Sequence, residues 1–66
     1  MMYYYFVSGV MSADGYSQKY FSTEISMTDK ISSFEEVLLL RKKFALSKNI
    51  DPENVIIFNY QLLRIE

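Results

Sequence analysis

No cysteine and no histidine occur in this 66-residue chain, and tryptophan is absent too. Without cysteine there are no disulfides and no thiolate metal sites. Without histidine as well, zinc would depend on carboxylates alone, a poor match to its ligand preference, so no metal or cofactor is expected. The same two absences remove the commonest general base and the strongest thiol nucleophile. Glycine occurs only at Gly9 and Gly15, so no glycine-rich phosphate loop can be built. Glu35 and Glu36 are adjacent on a predicted helix and diverge by about 100°, which rules them out as a carboxylate dyad. The oxygens of "DPEN" (Asp51–Asn54) read as a helix-to-strand turn. The expectation is a protein that is not an enzyme, with no catalytic residues.

Charge of one sign is also lacking. Seven Lys/Arg against eight Asp/Glu give a formal charge of −1, whereas a nucleic-acid footprint calls for a basic excess on one face. Arg41–Lys43 is the one basic cluster and reads as a solvated helix face. The N-terminus has no basic start followed by a long apolar stretch, which argues against an export signal and for the cytoplasm. No run approaches the roughly 18 apolar residues of a membrane span, so no membrane partner is expected.

Apolar and aromatic side chains are abundant: 50% of residues are hydrophobic and 17% aromatic. The chain is read as one domain, 1–66, too short to subdivide. A domain of this size buries only about 60% of its unfolded surface. With disulfides and zinc excluded, self-association is the remaining support.

Met2–Met11, "MYYYFVSGVM", is rich in β-formers and carries no charge or proline, so it reads as a first strand. Asp14-Gly15 marks a hairpin turn. Residues 17–27 alternate, with Phe21, Thr23, Ile25 and Met27 on one side and Tyr20, Ser22, Glu24 and Ser26 on the other, as in a half-exposed edge strand. Ser32 and Ser33 each precede a glutamate by three residues, so either can anchor a capping box for a helix over 33–48. Asp51-Pro52 ends it, and "NVIIFNYQLLRIE" supplies a third strand. The fold class is α+β, β-β-α-β: a three-stranded sheet in the order 2-1-3, with one helix packed on one face.

Both parities of the first strand are apolar: Tyr3, Tyr5, Val7 and Met11 against Tyr4, Phe6 and Val10. The third strand divides into Val55, Ile57, Leu63 and Ile65 against Ile56, Phe58, Tyr60 and Leu62. A helix roughly 24 Å long covers one face only. Some six large side chains are left on the other. At ~100 Å² apiece and about 25 cal/mol per Å², their exposure forfeits on the order of 10 kcal/mol of gross burial. On the helix, Phe34, Val37, Leu38, Leu40, Phe44 and Ala45 share one arc, with Arg41 in its middle and Leu39 and Leu46 outside it. The interface candidates are Tyr3, Tyr5, Tyr20, Leu39, Leu46 and Tyr60, since tyrosines are enriched where proteins meet.

The stretches "YYYFVSG", "SADGYSQ" and "ISSFEEVLLLRKKFALSKNIDPENVIIFNYQLL" together resemble small phage- and prophage-encoded proteins of Gram-positive bacteria. That resemblance covers most of the chain and carries over no site residues. It implies an accessory protein that binds and inhibits a bacterial host factor or an anti-phage defence protein. The expected function is therefore stoichiometric inhibition by a homodimeric binding module in the host cytoplasm. The alternative is a nucleotide or single-stranded nucleic-acid binder that stacks bases on Tyr4, Phe6 and Phe58 and holds phosphate with Arg41, Lys42 and Lys43.

Overall fold

The structure, a computed structural model, describes residues 1–12, 14 and 16–66. Strand β1 spans Tyr3–Met11, β2 Lys19–Met27, helix α1 Phe34–Lys48, a 3-10 turn Pro52–Asn54, and β3 Val55–Ile65. The sheet order is β2-β1-β3, with β1 antiparallel to both neighbours. This is the expected α+β architecture, with the most apolar strand in the centre.

Local chemistry sets the boundaries. The Asp14 carboxylate accepts the N–H groups of Ser17 at 2.7 Å and Tyr16 at 2.8 Å, an Asx turn that starts the return of the hairpin. These two bonds, Ser17's foremost, hold the Asp14 carboxyl below its ordinary value. Gly15, expected to supply the turn, lies outside the described residues. At the start of α1, Ser33 is the N-cap, yet the capping box does not form. The hydroxyls of Ser32 and Ser33 donate instead to the Glu36 carboxylate, at 3.0 and 3.3 Å. A carboxylate is a stronger acceptor than a hydroxyl, and it draws both serines away from the backbone. Helix α1 ends in a Schellman motif: Asn49 adopts the left-handed conformation (φ 58, ψ 44), and the Ile50 N–H donates to the Ala45 carbonyl at 3.0 Å. Beyond it the Asp51 carboxylate accepts the Glu53 N–H at 2.9 Å. The "DPEN" oxygen is thus a cap for the 3-10 turn, as the sequence suggested.

Strand β2 decides which side of β1 meets the helix. Its apolar set is the odd one, and the register pairs Tyr3 with Met27, Tyr5 with Ile25, and Gly9 with Phe21. The odd side of β1 therefore joins the odd side of β2 under α1. Leu40, Val7 and Val55 are fully buried there, and the Phe21 and Phe44 rings stack 4.1 Å apart. Ile25, Met27, Ile31 and Ala45 complete this core.

Strand β3 does not keep the simple parity expected of it. Register shifts fall between Tyr4 and Tyr5 and between Ser8 and Gly9, so Phe58 and Leu63 are extra residues relative to β1. After each bulge the faces exchange. Tyr60 and Leu62 consequently lie opposite Val7 and Tyr5, on the helix side with Val55 and Ile57, and not with Ile56 and Phe58 as strict alternation would place them. Asn59 and Gln61 take the outer face. At the first bulge the β3 backbone crosses close over Gly9. A Cβ there would overlap the Ile56 carbonyl oxygen and lie 3.0 Å from the Ile56 carbonyl carbon and the Ile57 Cα. Only glycine fits.

Candidate functional site

The outer face of the sheet, which α1 does not cover, is built in rows across the three strands. Tyr20, Val10 and Ile56 form the first, Ser22, Ser8 and Asn59 the second, Glu24, Phe6 and Gln61 the third, and Ser26, Tyr4 and Arg64 the fourth. The face is therefore not apolar throughout. The bulges remove Tyr60 and Leu62 from it and substitute two amides.

Its two ends are closed over β1 in different ways. At one end the Tyr20 and Phe58 rings approach to 6.2 Å, although their strands are separated by β1 and so by about 9.5 Å. The rings lean towards each other over the central strand, and Val10 beneath this end is only 6% exposed. At the other end Arg64 donates to both Glu24 oxygens, at 2.8 and 3.2 Å, and also to Glu66. Its guanidinium carbon lies 4.2 Å from the Tyr4 ring centre, a cation–π contact. Hydrogen bonding from Arg64 holds the Glu24 carboxyl below its ordinary value, and the two acids push the Arg64 guanidinium upward.

The exposed apolar surface thus concentrates at the first end, where Tyr20 is 82%, Phe58 60% and Ile56 53% exposed. The middle row offers hydroxyls and an amide, and the far end a neutralised ion pair. Aromatic rings, hydroxyls and amides held on rigid strands are groups for contact. Among the described residues no three acidic side chains gather closely enough to hold a metal ion. No helix there is long and apolar enough to cross a membrane.

The structure does not bring the six interface candidates together. Tyr5 is 2% exposed, and its hydroxyl accepts the Ile31 N–H at 2.7 Å, so it belongs to the core and not to a surface. Its ring meets Tyr60 edge-on at 6.1 Å, on the helix side. Tyr3 is half-buried against the same core. Leu39 and Leu46 lie together on the outer flank of α1, beside Met27 and the Lys42 and Lys43 stems, in a shallow depression. Of the six, only Tyr20 stands on the outer face. The surface there is completed by Phe6 and Phe58, placed by the base-stacking reading, and by Ile56, which that list omitted. Alternation along β3 is the signal for Ile56.

The residues named for base stacking and those named for phosphate lie on different elements. Tyr4, Phe6 and Phe58 do share a face, but Arg41–Lys43 are on α1, across the sheet from them. The cation over Tyr4 is Arg64, already held by two carboxylates. No family model matches the chain, and neither a curated protein nor a solved structure matches it.

Proposed function

We propose that the protein is a non-catalytic binding module that inhibits a bacterial protein by stoichiometric occlusion, as a homodimer, in the manner of a phage accessory protein acting on a host or anti-phage defence protein. One observation carries this reading. Tyr20, Ile56 and Phe58, each more than half exposed, form an apolar cluster at one end of the sheet, with hydroxyls and amides in the rows beside it and an ion pair at the far end. An apolar centre with aromatic anchors and a polar rim is the anatomy of a protein interface. The Tyr20 and Phe58 rings lean on each other, which reduces the rotamer freedom they lose on binding. The phage-like features of the sequence supply the class of partner.

The test is affinity capture from infected host cells with the tagged chain and with Tyr20→Lys/Phe58→Lys. The reading predicts one host protein retained in fixed stoichiometry by the native chain and lost by the folded variant. Equal retention by both chains contradicts the outer face as the binding surface. Nothing retained by either contradicts the module.

A further inference from the structure

The two edges of the sheet are protected unequally. Strand β2 carries Lys19 and Glu24, and the Lys43 ammonium donates to its Ser26 carbonyl. Charges and capped carbonyls are how sheets discourage edge-to-edge pairing. Strand β3 is longer, at 11 residues, with no lysine and no proline. Its one charge, Arg64, is ion-paired within the chain. Among the described residues no side chain hydrogen-bonds to its backbone. Ile56, Phe58, Tyr60, Leu63 and Ile65 along it are each 40–60% exposed.

A large side chain has roughly 200 Å² to bury, so five of them half exposed offer about 500 Å² per copy. Two copies reach about 1,000 Å², the lower limit for a specific interface. An antiparallel pairing of β3 with β3 about a two-fold axis near Tyr60, its midpoint, makes the contact self-complementary. The axis falls between the bulges, in the regular stretch 59–62. Asn59 then neighbours Gln61 of the second copy, and Arg64 lies opposite Ile56, so no like charges are opposed.

We infer that two copies of this chain join through their β3 edges into one continuous six-stranded sheet. This rests on the homodimeric reading above and gives it a surface. It takes up part of the exposed area of Ile56 and Phe58 and leaves Tyr20 and Phe6 of each outer face free for a different partner.

Sedimentation equilibrium at micromolar concentration tests it. The native chain is expected to sediment as a dimer. Leu63→Lys/Ile65→Lys, with its far-ultraviolet circular dichroism unchanged, is expected to be monomeric, and Tyr20→Lys to remain dimeric. A native monomer overturns both edge pairing and the homodimer. A dimer that survives Leu63→Lys/Ile65→Lys, or is lost in Tyr20→Lys, overturns the edge alone. Host-protein capture is scored separately with Leu63→Lys/Ile65→Lys, so loss of self-pairing and loss of partner binding are told apart.

Discussion

Replacing Tyr5 by phenylalanine removes one oxygen atom from the core and should be costly out of proportion to its size. The Tyr5 hydroxyl accepts the Ile31 N–H at 2.7 Å, and Ile31 is itself only 8% exposed. Phenylalanine keeps the ring and its edge contact with Tyr60 but leaves that N–H without an acceptor. A buried donor stripped of its partner costs about 1–3 kcal/mol. A chain of this length has roughly 3–10 kcal/mol of total stability, so the loss is a large fraction of the whole. The assay is urea unfolding followed by far-ultraviolet circular dichroism. With a slope near 1 kcal/mol per molar urea, the midpoint should fall by roughly 1 M or more. Tyr20→Phe, at an exposed ring, should move it by about 0.5 kcal/mol or less. Equal midpoints for Tyr5→Phe and the native chain would refute the buried hydrogen bond from the Ile31 N–H to the Tyr5 hydroxyl.

Gly9→Ala forces a methyl group into the β3 backbone at the bulge and should destabilise by about 3 kcal/mol, as an overpacked site does; an unchanged thermal midpoint contradicts the close crossing. Asn49→Ala puts a Cβ-bearing residue without a helpful amide into the left-handed C-cap and should cost about 1 kcal/mol in the same assay. Glu24 gives a pH signature: its folded carboxyl is depressed by Arg64 below the ordinary 4.5, so its contribution is complete above that value and is lost as pH falls through the depressed one. The native chain should therefore lose more stability than Glu24→Gln on acidification, with the difference shrinking in high salt; parallel pH profiles contradict the ion pair.

Much of the fold is legible in particular residues. The central place of β1 follows from its charge-free sequence, and α1 from its acids at the start and the Asp51-Pro52 break beyond its end. The side of β1 that faces the helix looked undecided from β1 alone, yet β2 carries the answer, because only its odd residues are apolar and the hairpin pairs odd with odd. The faces of β3 were harder. Two bulges reverse the alternation, and their one sequence mark is Gly9, on the opposing strand, whose missing Cβ admits the Ile56 carbonyl. That is why Tyr60 read as an outward residue and is found beside Tyr5. Composition misled at Tyr5 for a related reason: a tyrosine suits an interface or a core equally well, and the choice is made by an N–H donor 26 residues away in sequence.

Hydroxyl-radical footprinting of the free chain and of the chain bound to its captured host protein bears most directly on the outer face as the binding surface. Tyr20, Phe58 and Phe6 should be labelled when free and protected when bound, while Leu39 and Leu46 on α1 label equally in both. Protection of the α1 leucines with Tyr20 and Phe58 labelled as before would contradict the account.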